Sequence, residues 1–164
     1  MKDIKSLRTQ FPKSGKLLWI GLRPARKHNM IPVESVFANQ NQGLEGDRYQ
    51  GRSGKRQVTL LQQEHLSVIE KLTCQEITAA MLRRNLLISG INLHALKGQH
   101  FQIGAAILLG TGFCHPCSRM ESILGPGGYN AMLGHGGLTA RIIVSGKIKT
   151  GDTVIALPDY DNSN

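Results

Sequence analysis

Short apolar runs separated by glycine-rich turns recur along the chain and predict mostly β structure. Strands or extended segments are predicted in stretches rich in β-branched or large apolar residues: KLLWIGLRP, VESVF, QVTLL, QHFQIG and AAILLGTGF. The stretch TARIIVSGKIKTGDTVIAL alternates and turns as two closing strands. Two helices are predicted between the strands, QQEHLSVIEKL, with Leu66, Ile69 and Leu72 at helical spacing, and QEITAAMLRR. The pattern indicates a mostly β protein, a β-barrel with α insertions.

The length of the chain suits a single domain. Residues 1–15 are polar and lack periodicity, so they are interpreted as an N-terminal lead-in. The domain itself is predicted over residues 16–157, followed by a C-terminal tail over residues 158–164.

The charge of the chain narrows the choice of partners. A formal net charge of +9 favours anionic partners such as a phosphorylated cofactor, nucleic acid or an acidic surface. The basic residues are scattered and nearly free of interleaved aromatics, which argues against nucleic acid. The N-terminal stretch has neither a signal-peptide pattern nor a membrane span, and three cysteines do not suit a disulfide framework. We therefore expect a cytoplasmic protein with reduced thiols and no membrane partner.

Two of the three cysteines lie close together in FCHPC, residues 113–117, which we call the cysteine segment. The spacing of Cys114 and Cys117 fits a thioredoxin-type redox pair, but such pairs belong beside a βαβ pattern, which the chain lacks. A structural zinc site needs two further ligands at short spacing, and Cys74 and the histidines do not supply them.

A single reactive thiolate is the third interpretation of the cysteine segment. Pro116 suits the first turn of a helix, and a helix beginning there would place Cys117 near its positive end, with Arg119 close by. Both effects favour the thiolate, the form that attacks electrophiles and binds soft metals. The alternative is that both cysteines are small buried apolar residues.

Four segments in order resemble the MOSC domain, which is also found at the C-terminus of molybdenum-cofactor sulfurases. They are GLEGDRYQG, QVTLL, RRNLLISGINLHALKGQHFQIGAAILLGTGFCHPC and GHGGLTARIIVSGKIKTGDTV. The resemblance runs from about Lys16 to Leu157 and implies a mostly β fold built around a barrel. It also implies a role in molybdenum-cofactor chemistry, because some stand-alone bacterial members are molybdoenzymes that reduce N-hydroxylated bases and others have been proposed as sulfur carriers.

The resemblance maps the family's key cysteine to Cys117. A molybdenum centre held by a pterin dithiolene is soft enough to accept this thiolate as a ligand, so Cys117 is the expected metal ligand and catalytic residue. The same thiolate could instead carry a persulfide sulfur. His115, two residues earlier, is the candidate proton donor.

The remaining candidate residues would bind the anionic cofactor. They are Asp47 and Arg48 in a GDRH-like element, Arg84 and Asn85 in an RxNL-like element, Arg119, and Gly127, Gly128, His135 and Gly136 in GPGGYNAMLGHGG. Glycine-rich turns let backbone N–H groups approach phosphate, and arginine grips it bidentately. The alternatives are glycines that merely permit tight turns, and an Asp/Arg pair that pins the long loop, the polar stretch NQNQGLEGDRYQGRSGKR at residues 39–56, to the barrel. Tyr49 stands where the family often has histidine, and His65 is expected at the surface of its helix.

Two functions follow as hypotheses. The first is a molybdenum-cofactor-dependent reductase acting on a small molecule, with electrons from a partner reductase, since the chain has no flavin, nicotinamide or iron–sulfur motif. The second is a persulfide carrier or cofactor-handling module without turnover of its own. The sequence leaves open whether Cys114 and Cys117 form a regulatory disulfide.

Overall fold

The computed structural model describes residues 1–49 and 51–163, so Gln50 of the long polar loop and Asn164 of the predicted tail lie outside it. Its strands are β1 (Gly15–Leu22), β2 (Ile31–Val33), β3 (Ser35–Asn39), β4 (Gly43–Leu44), β5 (Val58–Gln62), β6 (Leu86–Ser89), β7 (His100–Ile103), β8 (Ala106–Phe113), β9 (Leu138–Val144), β10 (Gly146–Lys149) and β11 (Thr153–Leu157). Its helices are α1 (Ile4–Leu7), α2 (Gln63–Thr73), α3 (Ala79–Leu82), α4 (Ser118–Leu124) and α5 (Gly128–Met132), with a 3₁₀ turn at Leu93–Leu96.

A closed β-barrel forms the centre of the molecule, which confirms the predicted fold class. Within the described residues its strands follow the order β11-β7-β8-β9-β5-β6-β1, and pairing of β1 with β11 closes the ring at Gly15 and Val154. Neighbouring strands are antiparallel except β5 and β6, which are parallel, and β2 adds to the side of β1. Strands β10, β3 and β4 form a smaller sheet beside the barrel.

Two apolar clusters stabilise this arrangement. The first fills the barrel and includes Phe101, Leu60 and Leu138, and the second lies between the barrel wall and α2, α4 and α5. Strand β5 is buried along its whole length because Leu60 faces the barrel interior while Leu61 packs in the second cluster. Burial of α4 and α5 on the barrel wall helps to fix residues 113–117, which precede α4, and residues 134–137, which follow α5.

Two element predictions need correction, and the lead-in contains an element that was not predicted. This element is the one-turn helix α1, which forms because the Asp3 side chain accepts a hydrogen bond from the Ser6 N–H and caps it. The second predicted helix shrinks to α3, since Thr78 caps its start and its last turn ends at Arg83, a left-handed residue with φ of 57°. The C-terminal stretch forms three strands rather than two, because β10 leaves the barrel to pair with β3.

None of the helices within residues 1–49 and 51–163 is long and apolar enough to cross a membrane.

Candidate functional site

The cysteine segment is an extended link between β8 and α4. Burial alternates along it, with Phe113, His115 and Cys117 exposed and Cys114 and Pro116 buried. The predicted helix begins at Ser118 rather than Pro116, because Cys117 is the N-cap and keeps extended dihedrals of φ −128° and ψ 175°. Since side chains alternate along extended backbone, His115 and Cys117 lie on the same, solvent-facing side.

The two cysteines of this segment have different environments. Cys117 is exposed, and its side chain makes no capping hydrogen bond to α4. Cys114 is only 3% exposed, its N–H donates to the Gly137 carbonyl at 2.8 Å, and its Sγ lies 3.9 Å from the Arg56 guanidinium. All three cysteines are free thiols in this structure. Cys117 is therefore the accessible thiol of the cysteine segment, and Cys114 is part of the packed side of that segment.

Arg84 connects the cysteine segment to the glycine loop, the name we give to residues 134–137. Its guanidinium donates to the carbonyls of Leu82 and Gly136 at 2.8 Å and to that of Cys114 at 3.5 Å. Burial lowers the pKa of Arg84, while the nearby Cys114 and Cys117 sulfurs act in the opposite direction by favouring its charged form. A buried cation thus interacts electrostatically with both sulfurs and is hydrogen-bonded to both segments.

Asp47 and Asn85 form a separate buried network. The Asp47 carboxylate accepts hydrogen bonds from the Arg23 N–H and guanidinium at 2.7–3.2 Å and from the Asn85 amide at 3.1 Å. Asn85 also donates to the Gly21 carbonyl, and its side-chain oxygen accepts from the Thr59 N–H and hydroxyl. Here Asp47 and Asn85 attach the long loop to β1 and β5.

Several arginines surround this network and make the neighbouring surface basic. Burial lowers the pKa of Arg83, and the positive charges of Arg119 and Arg23 lower it further, against the opposing effect of Asp47. Arg83 also donates to the His28 carbonyl at 2.7 Å. Arg48 is exposed, with its backbone N–H donating to the Arg23 carbonyl. Because the charges of Arg23, Arg83 and Arg119 are close enough to affect one another, together they produce an electrostatic field that attracts anions.

The glycine-rich turn before α5 is closed by a carboxylate of the chain itself. Glu121 accepts hydrogen bonds from the N–H groups of Gly127 and Tyr129, both at 2.8 Å, and the Tyr129 bond followed by the Gly127 bond lowers its pKa. Gly128 is buried, and a Cβ there would lie 2.5 Å from the Leu124 Cβ. Gly127 and Gly128 therefore shape this turn and donate within the protein.

Gly136 allows the glycine loop to pack directly on the cysteine segment. A Cβ at Gly136 would lie 2.0 Å from the Cys114 carbonyl oxygen, far inside contact distance. A Cβ at Gly137 would lie 1.9 Å from the Leu60 carbonyl oxygen, and its φ of 98° favours glycine. Close backbone approach is the reason for glycine at both positions.

His135 of the glycine loop lies in a group of three imidazoles, His65, His94 and His135, which we call the histidine cluster. The ring centroids of His65 and His135 are 5.0 Å apart, and those of His65 and His94 are 6.0 Å apart. His65 is thus half-buried against other rings rather than a surface residue, because its turn of α2 faces the glycine loop. No spacing in the sequence pointed to this cluster, since its members are far apart in the chain and meet only through the barrel.

A small cavity of about 60 Å³ opens beside the buried side of the cysteine segment. It is lined by His94, Phe113, Cys114, His115, Pro116 and the glycines of the glycine loop. A larger open groove of about 680 Å³, lined partly by Arg141 and Tyr160, contains no residue of the cysteine segment. In the described part of the chain, no three His, Cys, Asp or Glu side chains are placed to hold a metal ion by themselves.

The part of the chain that contains this site matches a known domain family. Residues 46–155 match the family model of the MOSC domain, which is more than half of the chain. The chain belongs to the MOSC domain family. No curated protein matches it at a significant level. The MOSC match spans the buried aspartate, the buried arginine, the cysteine segment and the glycine loop.

Solved structures share the fold of this MOSC domain. The YuaD protein from Bacillus subtilis has a TM-score of 0.77 at 18% identity, over 90% of this chain and 98% of the other. YiiM from Geobacillus stearothermophilus has a TM-score of 0.71 at 17% identity, over 87% and 75%. YiiM from Escherichia coli has a TM-score of 0.69 at 18% identity, over 92% and 72%.

The sequence-predicted residues of this MOSC domain lie in two groups, one around the cysteine segment and the other in the Asp47 and Asn85 network. Cys117 and His115 share the exposed side of the cysteine segment, Arg119 follows on α4, and Arg84 and Gly136 lie beneath it. Other residues contact or act electrostatically on these groups but were not predicted as site residues; we call them the second tier. They are Arg23, Arg56, Arg83, His65, His94 and Phe113. Arg83 and Phe113 are sequence neighbours of Arg84 and Cys114 that were not singled out, whereas the other four have no local motif because they belong to separate elements that only the folded barrel brings together.

Proposed function

We propose that this MOSC protein binds the molybdenum cofactor through the Cys117 thiolate and reduces N-hydroxylated or related small molecules. The observation that carries the proposal is the exposed thiol of Cys117, which caps α4 without using its sulfur and interacts electrostatically with the buried Arg84. A thiolate is the kind of soft ligand that a pterin-bound molybdenum centre accepts.

The residues around Cys117 fit an anionic pterin cofactor. Arg119, Arg83 and Arg23 present positive charge beside the site, where a phosphate would be bound. The Nδ1 atom of His135 is buried without a hydrogen-bond partner, so it is available to a polar ligand that reaches the glycine loop. When bound, the cofactor supplies the two-electron redox chemistry.

The chain's own residues supply a ligand, orientation and protons in this proposal. Arg84 holds the glycine loop and the cysteine segment together by donating hydrogen bonds to the Gly136 and Cys114 carbonyls. Reduction of an N–OH group to N–H releases water and consumes two electrons and two protons. In this proposal the exposed His115, two residues before Cys117, provides protons. A separate reductase in the cytoplasm would provide the electrons.

The test is a reduction assay on protein purified from a host that makes the cofactor. Wild type, Cys117→Ser and Cys114→Ser are compared with a reduced viologen dye as electron donor and an N-hydroxylated base as substrate. Wild type and Cys114→Ser are expected to form the reduced base, and Cys117→Ser is expected to fall to the background rate. Equal rates in wild type and Cys117→Ser would contradict the role of Cys117.

A persulfide carrier is the second candidate, and the accessibility of Cys117 favours it too. A carrier needs an exposed thiolate that passes sulfur to an acceptor, without a cofactor of its own. Cyanolysis of the purified protein measures sulfane sulfur directly. Sulfane sulfur that depends on Cys117, in protein that contains no molybdenum, would favour the carrier over the reductase.

A further inference from the structure

The histidine cluster is the strongest group of titratable side chains outside the cysteine segment. Its members come from three places in the chain: His65 from α2, His94 from the 3₁₀ turn and His135 from the glycine loop. The rings of His65 and His94 meet edge-on at 82°, and those of His65 and His135 at 73°. The His94 ring also packs on Phe113, with centroids 4.6 Å apart.

Two nitrogens of the histidine cluster have no partner. The Nδ1 atoms of His65 and His135 are both buried and make no hydrogen bond. Protonating either ring would add an N–H and a positive charge where the protein offers neither acceptor nor solvent. The cluster is therefore built for neutral imidazoles.

The surroundings of the cluster also favour its neutral form. Burial lowers the pKa of His65, the neighbouring His135 and His94 lower it further, and Glu64 opposes them. Burial and His135 also lower the pKa of His94. The Glu64 carboxylate already accepts hydrogen bonds from the Gly90 N–H and the Gln62 amide.

Two lysines lie near the cluster. The Lys97 Nζ lies 4.7 Å above the Phe113 ring that touches His94. Lys13 lines a shallow groove together with His65 and Glu64.

Backbone hydrogen bonds connect His135 to the cysteine segment. On the C-terminal side of His135, the Gly136 carbonyl accepts from Arg84 at 2.8 Å and the Gly137 carbonyl accepts from the Cys114 N–H at 2.8 Å. The N–H of His135 itself donates to the Met132 carbonyl at 2.8 Å. A displacement of His135 therefore acts directly on the hydrogen bonds that hold Arg84 and Cys114.

We propose that protonation of the histidine cluster releases the glycine loop from the cysteine segment, so that the site around Cys117 is ordered only while the three imidazoles are neutral. Charged His65 and His135 would repel each other across 5.0 Å. The inference concerns regulation, and it rests on the proposed function only in making Cys117 the functional residue of the segment.

Amide hydrogen exchange tests the inference on the protein as purified, in buffer with a chelator and with no need for bound molybdenum or turnover. The reporter is the Cys114 N–H, whose acceptor is the Gly137 carbonyl. Its protection factor, corrected for the intrinsic exchange rate, is compared at about pH 7.5 and about pH 5, on the two sides of the ordinary histidine pKa. His65→Phe keeps an aromatic ring in the cluster but cannot be protonated. His100→Phe is the matched control, because burial also lowers the pKa of His100, which packs on Tyr160 instead.

In wild type and in His100→Phe the protection factor is expected to fall at the lower pH, by up to about tenfold for each unit by which the pKa of His65 lies below its ordinary value. In His65→Phe the fall is expected to be largely lost. An equal fall in all three proteins, or none in wild type, would overturn the proposal.

An NMR titration of the histidine rings in wild type gives a second test that needs no variant. The proposal requires His65 and His94 to protonate below the ordinary histidine pKa of about 6.5. Ordinary titration of both cluster rings would overturn it, as would stoichiometric zinc or nickel bound to the cluster without the chelator. Neither test involves the cofactor, so a negative result would overturn the pH response without contradicting the proposed reductase activity. Conversely, a protein that shows the pH response but no reductase activity would contradict the proposed function alone.

Discussion

At the scale of single residues, exposure separates the two cysteines of the CHPC motif more clearly than their spacing does. Cys117 caps α4 and faces solvent, while Cys114 is buried and donates its N–H to the glycine loop. The sequence identified Cys117 by its position after proline. It left open whether Cys114 was a redox partner or only a neighbour of Cys117. The burial of each cysteine depends on the backbone conformation of the segment, which the sequence alone did not determine.

Alkylation of the native protein checks this assignment. With excess iodoacetamide, Cys117 and the exposed Cys74 are expected to be modified, and Cys114, which is 3% exposed, only after denaturation. Peptide mass spectrometry identifies the modified residues. Modification of Cys114 as fast as Cys74 would show that the cysteine segment is not packed as described.

The Asp47 network gives a prediction about stability. Asp47→Asn removes a carboxylate that is fully buried and hydrogen-bonded to Arg23 and Asn85. The free energy of unfolding is expected to fall by about 2–3 kcal/mol, because Arg23 loses its ion pair and a buried acceptor is replaced by a donor. Urea unfolding measures the change, and Glu45→Gln, at an exposed position two residues away, is the control. A loss no larger than that of the control would mean that Asp47 is not what pins the loop.

At the scale of elements, most barrel strands and the long helix followed from hydrophobic periodicity, whereas β6, the separate strand β10 and the ends of the short helices did not. Helix α2 covers nearly the predicted stretch because its apolar residues repeat at helical spacing. Helix α3 is short because Thr78 and Arg83 take up capping conformations. Helix α4 begins two residues later than Pro116 suggested, because Cys117 rather than Pro116 marks its boundary.

Contact between the glycine loop and the cysteine segment can be tested with two glycines that do not have positive φ. Gly136→Ala would bring a Cβ within 2.0 Å of the Cys114 carbonyl oxygen, and we expect a loss of about 2–3 kcal/mol in unfolding free energy together with faster Cys114 alkylation. At Gly112, on β8, the nearest atom to a Cβ would be Thr139 Oγ1 at 3.6 Å. Gly112→Ala is therefore expected to leave stability unchanged or to raise it by up to about 1 kcal/mol. Equal stability of the two variants would contradict the close packing of the glycine loop.

At the scale of the whole molecule, the barrel brings together residues that no sequence pattern connects. The histidine cluster joins residues 65, 94 and 135, and Arg23, Arg83 and Arg119 come from three different segments. The family could be inferred from the sequence because its motifs occur in order along the chain. The second tier of the site could not, because a half-buried histidine and a solvated one look alike in a sequence.

Stability is expected to decrease in mildly acidic solution. Burial lowers the pKa of His65, His94 and His100 below their ordinary value of about 6.5, so the unfolded chain binds more protons than the folded one as the pH falls below that value. The contribution of these three rings to the free energy of unfolding is fully present above about pH 6.5 and is lost as the pH falls through their pKa values in the folded protein. Urea midpoints measured between about pH 8 and about pH 5 should fall at the acid end. A constant or rising midpoint would contradict the neutral, buried state of these rings.

The central claim is that Cys117 holds a molybdenum cofactor, and its most direct test is the molybdenum and pterin content of purified protein. Wild type, Cys117→Ser and Cys114→Ser are produced in the same cofactor-competent host, and each is checked for folding. We expect near-stoichiometric molybdenum and pterin in wild type and in Cys114→Ser, and loss of the metal in folded Cys117→Ser. Absence of molybdenum from all three proteins, or its full retention in Cys117→Ser, would contradict the claim.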